Sequence, residues 1–191
     1  MMGGTKKWTR TGKIVAINRE VDGFGHRVEP EELARRVLQD HHLEQTMPIP
    51  VIDVCLAEGI IAVRQGTFKD PDVSGMIRHT GEGHVIYVRA IDPPVRQRFT
   101  MAHELGHYLL HIRGDRNQDE LSLIERGDVE ALYRRTDQVN ERERAANLFA
   151  AALLMPTTIL RMLGDAYKPR TLAQFLAVSE EALKIRLKSF A

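Results

Sequence analysis

The sequence is poor in cysteine, in aromatic residues, in net charge and in long apolar runs, and each shortage excludes something. Cys55 is the one cysteine in 191 residues, so an internal disulfide and any metal site made of cysteines alone are ruled out, and a reducing, cytoplasmic setting is favoured. We read Cys55 as a small buried hydrophobe. Lys and Arg number 27 against 26 Asp and Glu, a net charge of +1, so no global field draws the chain to nucleic acid or to an acidic membrane. Ala145 to Met155 is the longest apolar stretch; it contains Asn147 and stops at Pro156, well short of the roughly 20 residues that span a bilayer. Met1 to Lys13 lacks the apolar core of a secretory signal. What is present is ordinary: 43% hydrophobic and 28% charged residues, with 14 Gly and 8 Pro. A chain of this size buries about 70% of its unfolded surface and needs no staples. The expectation is a soluble protein with one main domain.

Residues 1–28 mix basic and small residues without periodicity and are expected to form a flexible arm. The main domain is expected over 29–164 and a helical tail over 165–191. A first helix starts at Glu29-Pro30-Glu31-Glu32, with Leu33, Val37 and Leu38 as its apolar face. A second runs from Val51 to Glu58 and closes at Gly59. Three β-rich runs follow, Ile60–Val63, Gly75–Arg78 and Val85–Val88; the turn-prone Thr80-Gly81-Glu82-Gly83 joins the last two as a hairpin, and a small antiparallel sheet is expected. Asp92-Pro93-Pro94 begins a longer helix to about Ile112, with Gly114 as its stop. Residues 115–138 read as a polar, partly helical excursion, and Asn140–Met155 as a core helix. The tail reads as Thr171–Ala177, opened by a Thr171/Gln174 capping box, and Ser179–Phe190, with Ser179 as its N-cap.

The chemistry lies in His103-Glu104-Leu105-Gly106-His107, an H-E-x-x-H sequence inside the long helix. Residues four apart share a helix face, so both imidazoles can reach one metal ion. Glu104, one step round, is placed to take a proton from a water whose pKa the ion lowers toward about 7. A chain of this composition yields such a pattern by chance about 0.03 times, so the motif gains its weight from sitting mid-helix after a hairpin. Zinc of this catalytic kind needs a third protein ligand. His111 continues the stripe, but it lies about 12 Å along the helix from His103, so the three histidines cannot share one ion. Leu110 stands where the metzincin pattern needs Gly. Glu143 is the best candidate, with Asn147 at i+4 placed to orient a ligating histidine. Glu141 is the fallback. Spacing alone leaves a second reading open, in which Asn140 and Glu143 form a capping box.

Arg98-Phe99-Thr100-Met101-Ala102-His103-Glu104-Leu105-Gly106-His107-Tyr108-Leu109-Leu110-His111 resembles the R-F-T-x-A-H-E-L-G-H-x-L-L-H core of the ImmA/IrrE family of metallopeptidases. Glu143 to Pro156 resembles that family's second motif, E-x-x-A-N-x-F-A-A-x-L-L-M-P, in the right order. The likeness runs from about Glu29 to Leu187. It implies an α+β, zincin-like fold, one Zn2+ held by His103, His107 and Glu143, Glu104 as catalytic base, and limited cleavage of a helix-turn-helix repressor in a stress-response, mobile-element or toxin–antitoxin setting. Ala152 departs from the family pattern, which often has Glu there.

Leu172 to Leu183 has the rhythm of a helix-turn-helix, which raises a rival reading as a DNA-binding regulator. Glu180 and Glu181 occupy the turn that would face phosphates, while Lys184, Arg186 and Lys188 come later, so packing or partner docking is favoured and no sequence-specific DNA binding is expected. A metal-stabilised module that senses or sequesters a repressor without turnover is the other rival. His26, His41, His42, His79 and His84 lack ligand spacing and read as surface residues. His79, His84, Tyr87 and Tyr133 are candidate oxyanion or substrate contacts. The Val85–Val88 strand is the expected border of the cleft, where it could pair with an extended substrate.

Overall fold

The computed structural model describes residues 28–113 and 136–189, so the first 27 residues of the expected arm, Tyr133 and most of the polar excursion lie outside the described residues. Two helices come first, α1 (Pro30–Asp40) and α2 (Val51–Ala57), followed by strands β1 (Ala62–Gly66), β2 (Gly75–Thr80) and β3 (Gly83–Arg89). Helix α3 (Pro94–His107) continues into one π-helical turn, Tyr108–Ile112, and α4 (Thr136–Leu154), α5 (Thr157–Leu163), α6 (Pro169–Leu176) and α7 (Glu180–Lys188) complete the order. Among the described residues no single helix is long and apolar enough to cross a membrane.

The sheet is mixed rather than antiparallel. Its order is β1-β3-β2: β2 and β3 form the expected antiparallel hairpin, whereas Ala62–Gly66 pairs in parallel with Val85–Arg89. The three strands alternate in direction along the chain, so β1 and β3 run the same way, and β3 takes the central place between its two neighbours. The β1–β2 connection must then pass the end of β3, and Arg89 at that end fastens it. Its guanidinium donates to the carbonyls of Val73 and, at 2.7 Å, Asp70, and lies 6.0 Å from the centre of the Phe68 ring.

Helix α4 lies between α3 and α1 and packs extensively on both. Its buried residues Ala146, Phe149, Ala150, Leu153 and Leu154 recur at helical spacing. Thr136 already belongs to this helix, so Asn140 stands inside it rather than at its N-cap position. Close approach of α3 and α4 depends on Gly106, where a Cβ would lie 3.0 Å from Phe149 Cδ1 and 3.2 Å from both Ala146 Cα and its carbonyl oxygen. Cys55 is fully buried in the core, and burial pushes its thiol up in pKa, with Glu58 adding to the effect.

The tail helices share this core. Leu172, Leu176 and Leu183 are buried in one cluster with Leu33 and Val37 of α1 and Phe149 of α4. Ser179 caps α7 as expected, its Oγ accepting from the Ala182 N–H at 3.1 Å. Helix α6 starts at Pro169, not at Thr171, so the Thr171/Gln174 capping box does not form; proline's fixed φ suits the first helical position and sets the start two residues earlier.

Candidate metal centre

His103 and His107 sit one turn apart on α3, and their imidazoles meet edge to face with centroids 4.6 Å apart and planes at 81°. Helix α4 brings Glu143 over the pair: Oε2 lies 3.3 Å from His103 Nε2 and Oε1 lies 3.1 Å from His107 Nε2. The two Nε2 atoms are 2.9 Å apart. Asn147, one turn beyond Glu143, places Oδ1 3.0 Å from His103 Nδ1. An amide oxygen only accepts, so Nδ1 carries a hydrogen toward Asn147 and Nε2 is the ring nitrogen left facing the cluster. One ligand atom from each of His103, His107 and Glu143 lies within 4.8 Å of the others.

The electrostatics follow from this convergence. Burial opposes charge on His103, but the Glu143 hydrogen bond, the carboxylates of Glu104 and Glu143 and the contact with Asn147 together raise its pKa. Hydrogen bonds from His103 and then His107 hold Glu143 well below the usual carboxylate range, against its partial burial. Two nitrogen lone pairs and a carboxylate facing one point are a donor set that a divalent cation satisfies, and two imidazoles with one carboxylate suit zinc. The residues fit the group.

Glu104, the residue after His103, is 8% exposed. Burial raises its pKa; the nearby His107 and His103 offset part of that, Glu143 adds to it, and a hydrogen bond from the Ile77 N–H on β2 lowers it. A cavity of about 930 Å³ runs past these groups. Its walls are Asp72–Ile77 on the β2 side, the His103–Glu104–His107 face of α3 with His111, Arg142, Glu143 and Asn147 of α4, and Ser179, Glu181, Ala182 and Ile185 of the tail. The π turn presents His111 with its ring centroid 5.8 Å from that of His107.

Other sequence candidates fall elsewhere. His79, His84 and Tyr87 do not line the cavity. His79 and His84 pair across the hairpin with rings 4.8 Å apart, and His84 continues to Tyr108 at 5.0 Å. His41 is not a bare surface residue: it bonds Glu58 at 2.7 Å, a carboxylate 2% exposed that Arg113 also bonds at 2.7 Å. The Val85–Val88 strand is central, with partners on both sides, so β2 is the strand that borders the cavity. Sequence reading gave no role to Arg98, the first residue of the matched motif. Its guanidinium donates to the carbonyls of Ile49 at 2.8 Å and Ala177 at 3.2 Å, joining α3 to the residues before α2 and to the tail.

Residues 60–188 match the model of a peptidase family described as IrrE N-terminal-like domain. The match begins just before β1 and leaves α1 and α2 outside. Over 103 residues the chain is 37% identical to the radiation response metalloprotease IrrE of Deinococcus radiodurans, covering 52% of this chain and 28% of that protein. A solved transcriptional regulator from Mycobacterium tuberculosis superposes with a TM-score of 0.51 at 18% identity, covering 81% of this chain and 44% of that one. That likeness is one of fold. The chain thus spans less than half the length of either relative.

Proposed function

Because the chain belongs to the family of IrrE N-terminal-like domains, a metallopeptidase family, we propose that it is a zinc-dependent, site-specific cytoplasmic endopeptidase acting on a helix-turn-helix repressor. The observation that carries the reading is the convergence of His103, His107 and Glu143 beside the buried Glu104 at the wall of one cavity. His103, His107 and Glu143 would hold the ion, and Asn147 keeps the His103 ring in its ligating orientation. When bound, zinc supplies a Lewis acid that polarises water and a carbonyl.

The chain's own residues do the rest. Glu104 accepts a proton from the attacking water at its carboxylate and returns it to the leaving amine nitrogen, and the burial that raises its pKa strengthens it as a base. The open edge of β2 at Gly75 and Ile77 offers backbone groups along which an extended substrate can lie. Apolar Val95, Phe99 and Ile185 give the cavity side walls suited to a hydrophobic substrate residue.

We do not extend the proposal to DNA. Lys184 is paired with Glu180 at 2.8 Å, and Arg186 is 3% exposed and bonds Glu31 at 2.6 Å, so two of the three basic residues of α7 are already engaged. The test is to purify the zinc-loaded chain with each small helix-turn-helix regulator encoded beside its gene and look for a single new peptide terminus by mass spectrometry. One discrete cut, lost when the ion is chelated, is expected. Metal bound with no cut in any such regulator would favour the sequestering module. Glu143→Ala is expected to lose the ion while Glu141→Ala keeps it; the reverse would move the third ligand to Glu141.

A further inference from the structure

Gly75 opens β2 where that strand meets the Thr100–Glu104 stripe of α3. A Cβ on Gly75 would lie 2.2 Å from Thr100 Cγ2, 3.0 Å from the Tyr87 carbonyl oxygen and 3.4 Å from Glu104 Oε1. Carbon atoms in favourable contact sit about 3.5–4.0 Å apart, so the first of these distances is a hard clash. Thr100 and Glu104 are each 8% exposed and one helical turn apart, and neither can swing to solvent cheaply.

The hairpin register shows what this close approach accomplishes. The Arg89 N–H bonds the Ser74 carbonyl, which makes Ser74 and Arg89 a hydrogen-bonded pair. Alternation along an antiparallel ladder then turns the backbone groups of Gly75 and Ile77, opposite Val88 and Ile86, away from β3. No strand lies on that side of β2 among the described residues. The outward Ile77 N–H instead donates to the Glu104 carboxylate.

We propose that Gly75 and Thr100 are a positioning pair for Glu104: the missing side chain at 75 lets β2 settle on Thr100, and that contact sets the Ile77 N–H at the distance that fixes the Glu104 carboxylate beside His103 and His107. Neither residue touches a reacting atom. The inference rests on the reading of Glu104 as the base, and its test keeps the two apart.

Three measurements on the full chain decide it: hydrogen exchange of the Ile77 amide in the zinc-loaded protein, cobalt stoichiometry from the visible absorbance of the cobalt-substituted protein, and titration of that protein with acetohydroxamate, whose hydroxyl needs an acceptor beside the ion. Gly75→Ala is expected to bind one cobalt as the wild type does. Its Ile77 amide should exchange about tenfold faster or more, since an outward edge amide without its acceptor is open to water. Acetohydroxamate should bind about tenfold more weakly, the equivalent of one misplaced charge-assisted hydrogen bond. Adding Thr100→Ser, which removes Cγ2, should return both values to wild type. Glu104→Ala should show the same two losses without rescue by Thr100→Ser. Wild-type exchange and affinity in Gly75→Ala, no recovery in the double variant, or failure of both variants to fold would each make Gly75 a packing residue and overturn the proposal. If Glu104→Ala leaves acetohydroxamate affinity untouched, the reading of Glu104 as base fails, while the Ile77 exchange rates still decide whether Gly75 and Thr100 hold its carboxylate.

Discussion

Glu104 and Asn147 both stand beside the convergent His103, His107 and Glu143 without belonging to that donor set, yet their substitutions should fail in opposite ways. Glu104 is absent from the convergent donor set, so Glu104→Gln should keep full metal stoichiometry while hydrolysis falls by about 10²–10⁴-fold, the usual contribution of a positioned general base. Asn147 holds the His103 tautomer through the 3.0 Å contact at Nδ1, so Asn147→Ala should weaken metal affinity by about 10–100-fold and leave the cleavage rate of fully loaded protein nearly unchanged. Metal titration and single-turnover cleavage separate the two; a Glu104→Gln protein that cleaves normally would remove Glu104 from the mechanism. These side chains were legible in the sequence because one helical repeat relates His103 to His107 and Glu143 to Asn147. Arg98 and Gly75 were not, because their partners are remote. Ala177, whose carbonyl Arg98 bonds, is 79 positions away, and Thr100 meets Gly75 only after the sheet has packed on α3.

At the scale of elements, the α3–α4 contact is the one on which the site depends, since α3 supplies two of the three donors and α4 the third. Gly106 faces backbone as well as side chain across that contact, and backbone cannot rotate aside. Gly106→Ala should therefore cost about 1–3 kcal/mol through overpacking, partly offset by alanine's better helix propensity. It should also push Glu143 away from the histidines, so that zinc affinity drops more than the loss of stability accounts for. Thermal melting with and without zinc measures both quantities; equal shifts in the two melts would confine Gly106 to packing. Helices were readable from local signals, the proline at the start of α1 and α3 and the Ser179 cap among them. The start of α6 was misread because Pro169 competes with Thr171 for the same end. The parallel β1–β3 pairing was hidden for a different reason: strand order is a property of the whole sheet, and nothing in Ile60–Gly66 states which side of β3 it will join.

For the whole molecule the question is whether α6 and α7 are a detachable tail or part of the catalytic body. Leu172, Leu176 and Leu183 are almost fully buried in the common core, and full burial of one such side chain contributes about 1.5–3 kcal/mol. Losing all three approaches the 5–15 kcal/mol that holds a typical domain folded. Deleting residues 171–191 should thus unfold the protein, and the deletion cannot report on docking. Phe175 on the same helix as Leu172 and Leu176 is by contrast 48% exposed, and Ile185 is 65% exposed and lines the cavity. Point changes can divide the two roles. Arg186→Ala removes a buried guanidinium that bonds Glu31 and Thr157; because Glu31 is 46% exposed and regains water, the cost should be about 1–2 kcal/mol rather than the larger penalty of stranding a fully buried charge. Melting should fall by about 2–8 °C, with kcat/KM little changed. Ile185→Asp touches no core contact and should stay within about 0.5 kcal/mol of wild type. It puts a charge on the apolar wall that the substrate would meet, so KM should rise about tenfold with kcat preserved, the signature of lost uniform binding. If Ile185→Asp cleaves its substrate with wild-type KM, α7 serves the fold alone, and substrate recognition must be sought along β2 and α4.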